Sequence, residues 1–234
     1  MGVLGGMGPQ ATVDFMAKVI AMTPADVDHE HIRMLVDNNP GVPDRQAAIL
    51  GDDASVRQAL VAMAQQLQAA GADFLVMPCN TAHAFVSDAV ESVEIPFLHI
   101  VNETVAEIET EHPEARKVGV LATDACLVAG VYQTALQSIG RTAVFPQADD
   151  QRECMQLIGL VKSGDTGESV QQRMTELAER LIAAGAELVV AGCTEIPLIL
   201  GNNAIKVPVI SSTDVLAKRT VAVATGTVDL PVID

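Results

Sequence analysis

The chain has 234 residues, 49% of them hydrophobic but only 3% aromatic, and a formal net charge of −16. Thirty Asp and Glu against 14 Lys and Arg leave no basic patch for nucleic acid, so a nucleic-acid partner is not expected. No apolar run reaches the roughly 18 residues of a membrane span. No leader precedes the break at Gly5-Gly6, so the expected location is cytoplasmic, away from membranes.

The length suits one large domain or two of about 110 residues. With tryptophan absent, the core must come from Ala, Val, Leu, Ile and Met. That palette suits parallel strands covered by helices. Residues 2–4 read as a strand. A helix over 10–20 follows, opened by Gly8-Pro9, with proline in its first turn. Residues 34–36 form a strand leading into a Pro-rich loop over 37–45. A helix over 53–70 places Val56, Leu60, Met63, Ala64 and Leu67 on one buried face. Strands follow at 74–77 and, after Pro96, at 97–100.

The pattern then restarts. Residues 118–121 read as a strand, 127–139 as a helix, 153–162 and 169–184 as two more helices, and 188–190 as a buried strand. Val207-Pro208-Val209-Ile210 echoes Ile95-Pro96-Phe97-Leu98, and a last helix covers 213–224. Strands alternating with helices predict an α/β fold with parallel sheets. The expected arrangement is two pseudo-symmetric lobes, each a parallel-sheet α/β sandwich, with the active site in the cleft between them. The lobe boundaries fall after each x-Pro strand. They give a first lobe of residues 1–101 plus 211–234 and a second of 102–210.

The restart contains a recurring segment. Ala70-Gly71-Ala72-Asp73-Phe74-Leu75-Val76-Met77-Pro78-Cys79 recurs as Ala184-Gly185-Ala186-Glu187-Leu188-Val189-Val190-Ala191-Gly192-Cys193, with no gap. Each copy puts a cysteine at the exit of an apolar strand, where ligands of open α/β sheets bind. If the halves face each other, so do the two thiols. Opposed acid/base groups can take a proton from one face of a carbon and return it to the other. Backbone N–H groups at a strand exit can hold a carboxylate and favour thiolate. Asn80, Thr81 and Thr194 add side-chain donors. Cys126 follows another strand exit beside Thr123, whereas Cys154 reads as helix core.

The loop over residues 5–9 has neither phosphate-loop pattern, but it suits backbone approach to an anion. Arg45, on a loop after a strand, is placed to clamp a carboxylate. Lys162 ends a helix, where the dipole already favours a cation. His29 and His31 read as a surface turn, and no metal site is expected. His83, four residues after Cys79, either reaches back toward the thiol or makes a structural hydrogen bond.

Three ordered segments resemble the aspartate/glutamate racemase superfamily, its aspartate racemase branch most closely. They are Gly5-Gly6-Met7-Gly8-Pro9-Gln10-Ala11-Thr12, Pro78-Cys79-Asn80-Thr81-Ala82-His83 and Gly192-Cys193-Thr194-Glu195-Ile196-Pro197-Leu198. Leu121-Ala122-Thr123 and Gly130-Val131-Tyr132-Gln133 fit that branch too. The resemblance implies racemization without a cofactor, pyridoxal phosphate included, by Cys79 and Cys193 exchanging the roles of thiolate base and thiol acid. It implies that Asn80, Thr81 and Thr194, with backbone near Met7, hold the α-carboxylate and that Thr123 lines the pocket. Arg45 and Lys162 would meet a distal carboxylate, and Gln10, Cys126 and Glu195 would be auxiliary. The implied partner is a small amino-acid substrate, and the implied assembly a homodimer.

Ala125-Cys126 departs from the Gly-Thr that family members often carry. The first loop also lacks the aspartate of the glutamate racemase branch, which argues against that activity. Three other readings stand beside the racemase. They are a maleate isomerase-like or decarboxylase-like member of the superfamily, a non-catalytic small-acid binding protein, and a redox pair of cysteines.

Overall fold

The computed structural model describes residues 1–201 and 203–230. The elements run β1 (Gly2–Gly5), α1 (Pro9–Met22), β2 (Leu35–Asn38), α2 (Arg45–Ile49), α3 (Ala54–Ala69), β3 (Leu75–Val76), α4 (Ser87–Glu91) and β4 (Phe97–Leu98). They continue as α5 (Ile100–Glu111), β5 (Lys117–Leu121), α6 (Asp124–Val128), α7 (Val131–Ser138), β6 (Thr142–Val144), α8 (Ala148–Lys162), α9 (Glu168–Ala183), β7 (Leu188–Ala191), β8 (Val209–Ser211) and α10 (Ser212–Ala224).

Among the described residues there are two four-stranded parallel sheets, ordered β2-β1-β3-β4 and β6-β5-β7-β8. The second order repeats the first, strand for strand. Val3 pairs with Val76 in one sheet and Val120 with Val190 in the other. The chain divides into two compact units. One comprises Met1–Glu103 with the segment from Thr213 onward, and the other Thr104–Ser212.

In the first unit the α3 face Val56, Leu60, Met63, Ala64 and Leu67 is buried against a core that includes Leu4, Leu75 and Phe85. Each fully buried aliphatic side chain there contributes about 1.5–3 kcal/mol. In the second, Leu157, Ile158 and Val161 of α8 and Val170, Met174 and Leu177 of α9 share a core with Val189 and Ile196.

The differences from the expected elements have local causes. Residues 127–139 are two helices, because Gly130 stands between them at φ +68°, a left-handed conformation that ends a helix. Helix α8 starts at Ala148. Its first turn is polar and hides from apolar periodicity, but Asp149 and Asp150 there suit the helix dipole. Ile100 is the first residue of α5 rather than a strand end, and Asp37 and Asn38 extend β2 into the predicted loop.

Candidate active site

In the first unit the loop after β1 is closed by a side chain of α1. The Gly6 N–H donates to Thr12 Oγ1 at 2.9 Å, and the Thr12 hydroxyl donates to the Gly8 carbonyl at 3.2 Å. Gly6 has φ +93°, and a Cβ there would lie 2.3 Å from the Asn39 backbone, so only glycine fits. Met7 is buried in this loop, whereas Gln10 is exposed in the first turn of α1.

The loop after β2 carries Arg45 at the start of α2. Its Nη1 donates to the carbonyls of Val42 and Pro43, both at 3.0 Å, so part of the guanidinium is engaged by its own loop. The exit of β3 carries Cys79, Asn80 and Thr81, all buried. These three loops follow neighbouring strands, so the carboxyl edge of the first sheet gathers Met7, Arg45, Cys79, Asn80 and Thr81.

His83 sits in a 3-10 turn, Thr81–Phe85, directly after them. Its Nδ1 lies 2.7 Å from the Cys79 carbonyl, and its Nε2 accepts the Ile100 N–H at 3.3 Å. A carbonyl on one side and an N–H on the other allow one tautomer, a neutral ring protonated on Nδ1. Burial, with His99 stacked edge-on at 4.3 Å, pushes the His83 pKa well below its usual value. His83 therefore holds the backbone of Cys79 and does not act as a base on its thiol.

In the second unit Thr123 caps α6 and accepts the Cys126 N–H at 3.2 Å. Both are buried. After β7, the Cys193 thiol donates to Glu195 Oε2 at 2.9 Å, and the Thr194 hydroxyl donates to the same oxygen at 3.3 Å. Glu195 is only 3% exposed, so this carboxylate lies inside the protein against the thiol. Burial first, and then the Glu195 charge, push the Cys193 thiol well above its ordinary pKa. Lys162, exposed at the end of α8, acts in the opposite sense on Cys193.

This corrects the expectation of a strand-exit field that favours thiolate at Cys193. A 3-10 turn of three residues, Ile196–Leu198, follows Cys193 in place of a long helix, and an anion stands beside the thiol. Cys154 is core, as its position suggested, and burial raises its thiol to about 12. His31 is exposed, and among the described residues no cluster of three metal-ligating side chains occurs. No described helix is long and apolar enough to cross a membrane. A cavity of about 490 Å³, lined by Met1, Leu35 and Phe74 among others, opens at the amino ends of the first sheet's strands and holds none of these site residues.

The family model for Asp/Glu/hydantoin racemases matches residues 4–220, nearly the whole chain. The chain belongs to the Asp/Glu/hydantoin racemase family. This racemase-type isomerase is 31% identical, over 95% of its length and 96% of the relative's, to the broad specificity amino-acid racemase RacX of Bacillus subtilis (strain 168). A Picrophilus torridus aspartate racemase superposes with TM-score 0.85 at 30% identity, covering 97% of this chain and 94% of that one. A Bacillus anthracis glutamate racemase shares the fold, with TM-score 0.71 at 18% identity, 97% of this chain and 81% of that one.

Three features of the racemase were not singled out from sequence. Thr12 lay inside a recognised segment, but its clasp on Gly6 needs the loop's geometry. Tyr132, which also lay inside a recognised segment but was given no role, and Ser212 are fully buried beside the β7 exit. Ser212 Oγ donates to the Ala191 carbonyl at 2.9 Å, two residues before Cys193.

Proposed function

We propose that this racemase interconverts the enantiomers of aspartate, or of an amino acid related to it, by two-cysteine acid/base exchange at the α-carbon without a cofactor. The observation that carries the reading is a pair of cysteines at equivalent exits, Cys79 after β3 and Cys193 after β7, in sheets of identical strand order. The buried Cys193–Glu195 contact supplies the acid of that pair.

In the reaction, one sulfur removes the α-proton while the other protonates the opposite face. Burial and Glu195 keep Cys193 in the thiol form, so it is the proton donor of the resting enzyme. The forward step leaves Cys193 as thiolate and Cys79 as thiol, so in the reverse direction Cys193 removes the α-proton and Cys79 protonates the opposite face. The α-proton is weakly acidic, so the developing dianion needs preorganised donors. Asn80, Thr81 and Thr194, with backbone near Met7, fill that role. Thr123 lines the pocket, and Gln10 and Cys126 have auxiliary places.

Arg45 and Lys162 are the cations for a distal carboxylate. Part of the Arg45 guanidinium is already committed to its own loop, which favours a side-chain tolerance wider than aspartate alone. The kinship with a broad specificity racemase supports the same view. Four cysteines, none of them in a disulfide, fit a reducing, cytoplasmic compartment. Val13 and Ile20, about half exposed on α1, fit a homodimer contact.

The deciding experiment incubates the protein with a panel of L- and D-amino acids in deuterated water and scores exchange at Cα. Exchange with racemization, lost in both Cys79→Ser and Cys193→Ser, supports the reading. Full activity of either variant overturns it.

A further inference from the structure

Tyr132 is the largest fully buried side chain described, and no step proposed above uses it. Its ring lies against the turn that carries Cys193. A Cβ added at Gly192 would stand 2.9 Å from Tyr132 Cε2 and 3.2 Å from the Leu121 carbonyl oxygen. Residue 192 is therefore glycine because the ring takes the space of its side chain. The Tyr132 hydroxyl is hydrogen-bonded to the side chains of Thr104 and Ser212, both fully buried.

Ser212 in turn donates to the Ala191 carbonyl at 2.9 Å, while the Gly192 N–H donates to the Leu121 carbonyl at 2.8 Å. The segment over residues 191–193 is thus gripped from two sides, by the end of β5 and by the Tyr132–Ser212 pair. Thr104 and Ser212 are also the first and last residues of the second unit. One hydroxyl therefore ties together the two points where the chain enters and leaves that unit, and Ser212 passes the tie on to the strand end beside Cys193.

We propose that Tyr132 is a positioning residue for Cys193, fixing the Gly192–Cys193 turn through its ring and the Thr104–Ser212 hydroxyl cluster. This rests on the reading of Cys193 as an acid/base group. Misplacing a reacting group by about 1 Å costs on the order of 100-fold in rate, so a smaller shift of the turn is expected to cost about tenfold in kcat.

The test is Tyr132→Phe, which keeps the ring and removes the hydroxyl. A racemase has an equilibrium constant of one, so kcat/KM must fall equally in both directions. The primary isotope effect of α-deuterated substrate need not, and it should rise for one enantiomer only, the one that Cys193 deprotonates. Independently of activity, iodoacetamide labelling with peptide mapping should change the Cys193 rate by about threefold or more while Cys79 keeps its rate.

Ser212→Ala leaves Tyr132 whole, removes one of its partners, and should move the Cys193 labelling rate in the same direction. A wild-type Cys193 labelling rate in both variants, or equal changes at Cys79 and Cys193, overturns the proposal. If the wild-type protein exchanges no Cα proton with any amino acid, the racemase reading falls, and the labelling comparison still decides on Tyr132.

Discussion

Acidification should unlock the support of Cys79 before the carboxylates titrate, and the size of the effect follows from His83. In the folded protein its ring is neutral, between the Cys79 carbonyl and the Ile100 N–H, with a pKa far below the usual 6.5. In the unfolded chain it takes a proton near 6.5. The unfolded state thus binds the extra proton, and stability is full above about 6.5 and falls as the pH drops below it. At pH 5 the loss from His83 alone is about 2 kcal/mol, against a typical total of about 5–15 kcal/mol. His99, lowered to about 4 by burial, loses stability in the same sense over the window from 6.5 to 4.

The control is His83→Gln, which is polar but does not titrate. At pH 8 it should be less stable than the wild type by about 1–3 kcal/mol, the cost of weakening two buried hydrogen bonds. By pH 5 the gap should narrow by about 2 kcal/mol, because only the wild type pays the protonation cost. Urea unfolding followed by circular dichroism at pH steps from 8 to 5 measures both curves. Parallel curves would refute the assignment of His83 as a neutral, buried bridge.

Replacing Glu195 with Gln removes the charge beside Cys193, so the pH midpoint for Cys193 alkylation should move down, while burial still keeps it above that of a free thiol. Lys162→Met removes the cation that opposes this, and the same midpoint should move up. Thr12→Val leaves the Gly6 N–H without its 2.9 Å acceptor. A destabilisation of about 1–3 kcal/mol is expected in thermal unfolding, with Thr12→Ser retaining most of the stability.

Much of the architecture was legible because it rests on periodicity and on a repeat. The α3 face from Val56 to Leu67 is apolar at helical spacing and is buried as that spacing requires. The strand ends carrying Cys79 and Cys193 were marked by a recurring ten-residue segment with the cysteine in the same place. Helix α5 and strand β6 were missed. The helix carries four acidic residues over Ile100–Glu111 and begins inside the stretch read as a strand, and β6 is three residues long with one exposed end, too short to show an alternation. The chemistry of Cys193 was misjudged for a different reason. Its thiol is governed by Glu195, two residues on, whose carboxylate turns inward, and a sequence shows spacing but not that inward turn. His83 was visible as a histidine four residues from a cysteine, yet its second partner, Ile100, is seventeen residues away.

The two units differ in how the chain supplies them. The second is one uninterrupted stretch, Thr104–Ser212, whereas the first also takes in the segment from Thr213 onward. Helix α10 is held to the first unit by Lys18, which bridges Asp14 at 2.7 Å and Asp214 at 2.6 Å, and by Arg219 with Glu103 at 3.2 Å. A ribosome delivers the chain from its amino end. The unit that begins second is therefore complete first, and the strands of the first wait, lacking one helix, until α10 has emerged.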